Sequence, residues 1–263
     1  MKSRLIRRTG AVALIAAVTA TALTGCERGF GAKLTYDDTE KVKVTDIMVT
    51  GSSGDVAVTT AAVSETRIRR IVRSGGDDPG QSYSVSGTTL NLNTSCGRNC
   101  RVSYEIQAPT GVQVRGELHA GEFTLTDVAY VDVRVTSGDV RLERVTGDVR
   151  AEASSGNIEV HALSGVTRLH TTSGNIEGDE LSGGKAVSVE ATSGNVNLKL
   201  RQPASVTAKV TSGNVDLMVP AGAYKLRKDA GSGEVESDLT NDDSAPNTID
   251  VSTRSGNVTV GSL

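Results

Sequence analysis

Apolar and polar residues alternate in short runs along most of the chain, from Val42 to the C-terminus. Pairs such as Val140 and Leu142, or Val196 and Leu198, are separated by single polar residues. A period of two places successive side chains on opposite faces of an extended strand. No segment shows the three- and four-residue spacing of an amphipathic helix. The pattern therefore predicts an all-β protein.

A four-residue phrase recurs through the C-terminal half: Ser-Gly, then Asn, Asp or Glu, then Val or Ile. Successive copies lie 18 to 20 residues apart, and the last interval is 23 residues. A period of this size is the sequence signature of a solenoid, in which each repeat forms one rung. Glycine is expected at the turn of each rung because the chain there adopts positive φ. The predicted turn glycines are Gly54, Gly138, Gly156, Gly174, Gly194, Gly213, Gly233 and Gly256.

Alignment of the rungs places equivalent apolar residues in two columns, which are expected to face the core. The first contains Val140, Ile158, Ile176, Val196, Val215, Val235 and Val258, and the second contains Leu142, Val160, Leu198, Leu217 and Val260. Gly178 and Ser237 interrupt the second column, so looser packing is expected there. Asparagines that follow the turn glycines are expected to form a hydrogen-bonded ladder. The last strand, from Ser255 to Leu263, is expected to leave a free sheet edge.

The predicted fold class is all-β, a single-domain parallel β-solenoid with rungs of about 18–20 residues and an irregular N-terminal cap. Residues 42–119 contain less regular strands and are assigned to the cap, and residues 120–263 are assigned to the regular repeats. Terminal repeats of stacked proteins are atypical because one of their faces lacks a neighbouring repeat.

Residues 1–25 have the features of a lipoprotein signal peptide. A basic start is followed by an apolar stretch, Ala11 to Leu23, that is too short to span a bilayer. The segment ends in Leu-Thr-Gly-Cys, which resembles the lipobox of bacterial lipoproteins, in which the cysteine thiol receives a diacylglyceryl group. Residues 26–41 are therefore assigned to the lipidated Cys26 and a tether, and the predicted location is the extracytoplasmic face of the cell membrane. An ordinary secretory leader with an incidental cysteine is the alternative.

Cys96 and Cys100 are the cysteines that remain after the leader. In an exported chain an even pair favours a disulfide. The loop it closes is short, so the loop-entropy model assigns it only about 2 kcal/mol. A metal half-site and a reactive redox pair are the alternatives, but no second cysteine pair or spaced histidine pair supplies four zinc ligands.

Composition and charge narrow the classes of partner. Aromatic residues make up 3% of the chain and tryptophan is absent, which indicates a thin aliphatic core. The formal net charge of -3 comes from interspersed residues of both signs and provides no field that attracts nucleic acid or an anionic membrane. No nucleic-acid partner is therefore predicted.

The sequence contains no recognisable catalytic motif. Nucleophile elbows, zinc-protease motifs and phosphate-binding loops are absent, so no catalytic residue, cofactor or metal ligand is predicted. His161 and His170 lie in successive half-rungs and are expected on different faces. One charged group is expected to share an outward face: Arg141, Glu143, Glu159, His161, Glu177 and Asp179. Such carboxylates suit a divalent cation or an acid–base pair, or they are simply solvated.

With the lipobox, the close cysteine pair and the reiterated SGNV and SGDV phrases, the chain resembles the bacterial "putative adhesin" family of β-solenoid domains. This family has no assigned function and occurs in lipoproteins and envelope proteins of Gram-positive bacteria. The resemblance covers roughly Val42 to Leu263. Its motif is structural, so it implies the fold but transfers no ligand-binding residue to this chain.

These observations favour a non-enzymatic, membrane-anchored recognition, adhesin-like or scaffold module of the cell envelope. Its expected partners are the membrane, through the N-terminal lipid, and a cell-wall polymer or an envelope protein. An accessory of an envelope-stress sensing system is the first alternative, and a polysaccharide-active β-helix enzyme is the second. The sequence leaves the oligomeric state open.

Overall fold

The computed structural model describes residues 32–75, 80–181 and 183–263, which form strands and turns without a helix. The predicted signal peptide and Cys26 lie outside the described residues. The strands are β1 (Ala32–Glu40), β2 (Asp46–Ser53), β3 (Val56–Ala61), β4 (Thr66–Ser74), β5 (Tyr83–Ser86), β6 (Thr89–Asn93), β7 (Cys100–Pro109), β8 (Gln113–Ala120), β9 (Phe123–Thr126), β10 (Tyr130–Ser137), β11 (Val140–Glu143), β12 (Val149–Ser155), β13 (Ile158–His161), β14 (Thr167–Ser173), β15 (Ile176–Leu181), β16 (Val187–Ser193), β17 (Val196–Leu200), β18 (Val206–Ser212), β19 (Val215–Val219), β20 (Lys225–Ser232), β21 (Val235–Ser237), β22 (Thr248–Ser255) and β23 (Val258–Ser262). The described part of the chain has no helix long and apolar enough to cross a membrane.

The strands form two sheets that enclose one core. Sheet A has the order β1-β4-β7-β3-β9-β11-β13-β15-β17-β19-β23-β21, and sheet B has the order β20-β22-β18-β16-β14-β12-β10-β8-β2-β6-β5. Most neighbours pair in parallel, and each regular rung places one strand in sheet B, a glycine turn and one strand in sheet A. The predicted all-β solenoid is confirmed.

The core contains the two predicted columns of aliphatic side chains, except for Val235 of the first column, which is 42% exposed on the terminal strand. Val140 pairs in register with Ile158, and the same column continues through Ile176, Val196 and Val215. All five side chains are fully buried. Since alternate residues of a strand point to opposite faces, the same register places the polar residues between them on the outer surface.

The turn glycines are required by the distance between rungs. Gly138 has a φ of 139°, and a Cβ on it would lie 1.9 Å from the carbonyl oxygen of Gly121 in the adjacent rung. Every predicted turn glycine has positive φ: Gly54, Gly138, Gly156, Gly174, Gly194, Gly213, Gly233 and Gly256. A side chain at such a position both strains the backbone and collides with the next turn.

The asparagines after these glycines form the expected hydrogen-bonded ladder. Each bond runs from the backbone N–H of one asparagine to the side-chain oxygen of the asparagine in the neighbouring rung. The N–H of Asn195 donates to Oδ1 of Asn175 at 2.9 Å, and the N–H of Asn214 donates to Oδ1 of Asn195 at 2.9 Å. Each side chain thus satisfies a backbone group of the next rung. Asp139 accepts in the same way from the N–H of Asn157, at 2.8 Å.

The loose packing expected at Gly178 is not found. A Cβ at this position would lie 2.9 Å from Cδ2 of Leu198 and 3.2 Å from Cδ1 of Leu181. The register shifts between Gly178 and Leu181, and Leu181 is buried. The bulge therefore brings a leucine into the space that the glycine leaves.

Stacking order and chain order differ at both ends of the solenoid. Strands β2 and β3 pair directly with β8 and β9, although residues 62–112 separate them in the chain. Strands β18 and β19 pair directly with β22 and β23, although residues 220–247 intervene. We call residues 62–112 the N-terminal insertion and residues 220–247 the C-terminal insertion. The strands of the N-terminal insertion lie outside β2 and β3, and those of the C-terminal insertion lie outside β22 and β23.

The free edge predicted at Ser255–Leu263 is wrong, because β23 lies between β19 and β21. The strands at this end of the sheets are β20 and β21, from the C-terminal insertion. Ile249, Val251, Val258 and Val260 of the enclosed rung are fully buried. The matching positions in β20 and β21 include Lys228 and Ser237. Enclosing the more apolar rung removes more hydrocarbon from water and stabilises the observed order.

Residues 32–40, which the sequence analysis assigned to the tether, form β1 and pair antiparallel with β4. The inward-facing positions of β1 include Leu34 and Tyr36 but also Asp38 and Glu40. Because charged residues occupy half of these positions, the alternation that identifies a half-buried strand is obscured.

Candidate functional site

Outward-facing polar side chains of sheet A form a file that crosses successive strands. Arg141 pairs with Glu159, Glu159 with Glu177 and Glu177 with Asn197 in the parallel register. A second file beside it contains Glu143, His161 and Asp179. Neighbouring strands lie about 4.8 Å apart, so side chains at equivalent positions are close neighbours. The structure thus brings together the charged residues that the sequence places on one face.

These files line a concavity of about 460 Å³ that spans β9, β11, β13, β15 and β17. We call it the groove, defined by Thr124, Arg141, Glu143, Glu159, His161, Glu177, Asp179, Asn197 and Lys199. Leu142, Val160 and Gly178 also line it. Its side chains stand on strands, so their relative positions are set by strand register, which is unbroken from β11 to Gly178 of β15 and shifts at the bulge that contains Asp179.

Ion pairs neutralise one end of the groove. Arg141 donates to Glu122 and, from Nε, to Glu159 at 3.0 Å. Hydrogen bonds to these two carboxylates, chiefly to Glu122, raise the pKa of Arg141 above its ordinary value. Arg144 contacts Glu143 and donates to both oxygens of Asp127, at 2.7 and 3.0 Å. The Arg144 hydrogen bond lowers the pKa of Asp127.

The other end of the groove keeps more of its charge exposed. Glu177 and Lys199 have no ion-pair partner among the described residues. Nδ1 of His161 lies 3.7 Å from Asp179, and Nε2 lies 3.8 Å from Glu180. All of these side chains are accessible, and a ligand entering the groove reaches them without displacing the core.

The three histidines do not meet. His161 lies on β13 in sheet A, whereas His119 lies on β8 and His170 on β14, both in sheet B. The predicted separation of His161 and His170 onto different faces is confirmed. Within residues 32–75, 80–181 and 183–263, no group of three or more His, Cys, Asp or Glu side chains is arranged to hold a metal ion.

Cys96 and Cys100 are bonded in the structure, with their Cα atoms 5.3 Å apart. Their loop precedes β7 in the N-terminal insertion, and the carbonyl of Asn99 within it accepts a hydrogen bond from the N–H of Gly75 at 3.2 Å. The disulfide therefore lies at the cap and not in the groove.

A second concavity of about 600 Å³ on sheet A was missed by sequence reasoning. It is lined by residues of β1, β3, β4 and β7, among them Asp37, Arg69 and Glu105. Nε of Arg69 lies 2.8 Å from Asp37, and Nη1 lies 3.5 Å from Glu105. Finding this concavity requires knowing that residues 32–40 pair with β4, which the local pattern does not reveal.

One family model matches this chain, and two solved structures are similar to it. A family model described as Toastrack DUF4097 matches residues 32–261. A solved structure described as a "putative adhesin" from Bacteroides fragilis is 14% identical, with 87% of this chain and 97% of that chain covered and a TM-score of 0.47. A structure described as a "putative cell adhesion protein" from Clostridium sporogenes is 12% identical, with 87% of this chain and 100% of that chain covered and a TM-score of 0.26. No curated protein is a significant match.

Proposed function

The chain belongs to the Toastrack DUF4097 family, and we propose that it is a non-enzymatic recognition module of the cell envelope, anchored to the membrane by a lipid on Cys26. The groove on sheet A is the proposed recognition surface. Its proposed partner is an extended cell-wall polymer or a segment of an envelope protein.

The in-register outer face of sheet A is the observation that supports this proposal. Arg141, Glu159, Glu177 and Asn197 occupy equivalent positions on four successive strands. A partner with its own linear repeat can contact such a file at several points at once, and each contact adds to the affinity. The rigid sheet also lowers the entropy lost on binding, because the contacting side chains are already positioned.

The test uses a soluble chain that begins at Glu27, since every strand and buried residue of the described structure lies within residues 32–263. Circular dichroism first establishes that this version folds. The chain is then immobilised and exposed to purified cell-wall glycan and to a cross-linked envelope extract. A reproducibly enriched glycan or protein supports the proposal, and no enrichment from either source contradicts it.

Charge-reversal variants test whether the partner binds in the groove. A double variant in the groove, Glu177→Lys with Asp179→Lys, is expected to weaken capture about tenfold or more, the effect of losing roughly 1.4 kcal/mol. The matched control reverses two exposed carboxylates of sheet B, Glu117→Lys with Glu190→Lys, and is expected to bind normally. Equal loss in both variants would contradict a site in the groove. Sugar release during incubation would replace the proposal with the enzyme alternative, and enrichment of a membrane sensor would favour the signalling alternative.

The membrane anchor has its own test. Cys26→Ser in the full chain removes the thiol that would carry the lipid, so the protein is expected to leave the membrane pellet on alkaline washing. Two acyl chains hold a protein to a bilayer far more strongly than one, so the unchanged chain is expected to remain in the pellet. Identical partitioning of the two proteins would rule out lipid on Cys26.

A further inference from the structure

The C-terminal end of the solenoid presents two edge strands. Strand β20 ends sheet B and β21 ends sheet A. The start of β20 is covered by the insertion itself, since the N–H of Leu226 donates to Oδ1 of Asn241 at 2.8 Å and the N–H of Asp242 donates to the carbonyl of Tyr224 at 2.9 Å. Beyond Leu226, β20 has a paired strand on one side only among the described residues, as does β21. Unpaired N–H and C=O groups of an edge strand are a template for another strand. Val235, 42% exposed, lies at the end of the first aliphatic column. This end therefore has the features on which a further rung would stack.

A lysine occupies a core position at this end. In the parallel register Leu226 pairs with Ile249, Lys228 with Val251 and Ala230 with Thr253. The three partners on β22 all face the core and are buried. Lys228 therefore continues a column of buried side chains. It has no ion-pair partner among the described residues.

The charges of the two edges are complementary to each other. Strand β20 carries three basic residues, Lys225, Arg227 and Lys228, and one acidic residue, Asp229, so its net charge is positive. The segment around β21 carries Glu234, Glu236 and Asp238. A two-fold rotation about an axis parallel to the strands sets β20 of one copy against β21 of a second copy, in antiparallel orientation. Such an isologous contact uses the same patch on both partners, and here it pairs a basic edge with an acidic one.

We propose that this end is a latent interface for a second copy of the chain, and that Lys228 keeps it closed. A strand laid against β20 removes water from the inward face of that strand. The ammonium group would then be buried without a carboxylate, which is strongly unfavourable. Inward-pointing charges on edge strands are a known means of preventing edge-to-edge association. The C-terminal insertion thus covers the apolar terminal rung with a strand that tolerates no further neighbour.

Sedimentation equilibrium of the chain beginning at Glu27 tests the proposal. Lys228→Val is expected to double the measured mass at concentrations where the unchanged protein is monomeric. Arg227→Val is the matched control, because it removes the same charge from the outward face of the same strand, and it is expected to stay monomeric. Lys228→Glu retains a charge at the inward position and is also expected to stay monomeric.

A second variant and a hydrogen-exchange measurement guard against misfolding of the valine variant and against association through another surface. Lys228→Met removes the charge but keeps the length of the side chain, so it replaces Lys228→Val if the valine variant does not melt cooperatively. In the dimer, amide hydrogens of β20 and β21 are expected to exchange more slowly than in the monomer. Monomeric Lys228→Val and Lys228→Met proteins would overturn the proposal, as would equal association of Arg227→Val or a dimer without protection of β20 and β21.

Discussion

Gly213→Ala is expected to lower the free energy of unfolding by more than about 3 kcal/mol. Gly213 has a φ of 144°, and the added Cβ would lie 2.1 Å from the carbonyl oxygen of Gly194 and 2.7 Å from its carbon. The turn cannot simply move away, because the N–H of Gly213 donates to Ser255 at 2.9 Å in the next rung. The methyl group must therefore separate two rungs whose hydrogen bonds hold them together.

Gly111→Ala separates two effects of the added Cβ: its clash with the neighbouring rung and the strain of placing a side chain at positive φ. Gly111 also has positive φ, at 90°, but a Cβ there meets no atom within 4 Å. Gly111→Ala is expected to lower the free energy of unfolding by about 1 kcal/mol, the usual cost of placing a side chain in this backbone region. Urea denaturation of both variants makes the comparison. Equal losses would mean that backbone strain alone, and not rung spacing, makes glycine necessary at Gly213.

Arg70→Ala is expected to cost about 3 kcal/mol, because it leaves the partly buried carboxylate of Asp38 without its ion-pair partner at the N-terminal end of the core. Arg70 is 7% exposed, and its Nε lies 3.3 Å from Asp38. Its Nη1 donates to the carbonyl of Gly80 at 2.9 Å. The guanidinium also lies over the rings of Tyr36 and Tyr83, 4.6 and 5.7 Å from their centres. The side chain thus joins β1 of sheet A to β5 of sheet B.

Arg69→Ala is the matched control for this variant. Arg69 is the preceding residue, pairs with Asp37 at 2.8 Å and is 52% exposed. Solvent screens its ion pairs, so the unfolding midpoint is expected to change little. Arg70→Lys keeps the charge but loses the planar group that stacks on the tyrosines, and an intermediate loss is expected. Similar unfolding midpoints for Arg69→Ala and Arg70→Ala would contradict a structural role specific to Arg70.

The regular rungs could be predicted almost residue by residue. A period of two fixes which side chains of a strand face inward, and a constant repeat length fixes which residues stack. Val140, Ile158 and Ile176 were therefore identifiable as one buried column. The same logic placed Glu159 and Glu177 side by side on the outer face, so one file of the groove followed from the sequence.

Other parts of the groove and the cap depended on contacts that no repeat encodes. The pairing of Arg141 with Glu122 joins a residue of β11 to one in the turn between β8 and β9, and both side chains can adopt several rotamers. The bulge at Gly178 followed from the position of Leu181, three residues further along. Strand β1 was missed because its partner β4 is an antiparallel strand of the cap and not a copy of the repeat.

The sequence by itself determined the rung: its strands, its glycine turn, its asparagine ladder and the faces of its side chains. Each of these follows from local backbone geometry and from the identity of residues one repeat apart. Only the tertiary structure decided the order of rungs at the two ends, where β4, β5, β6 and β7 lie outside β2 and β3, and β20 and β21 lie outside β22 and β23. At the C-terminal end that order depends on which rung buries more apolar surface, the one with Val251 or the one with Lys228. The choice is a free-energy difference between whole arrangements of the chain, and a repeat pattern carries no information about it.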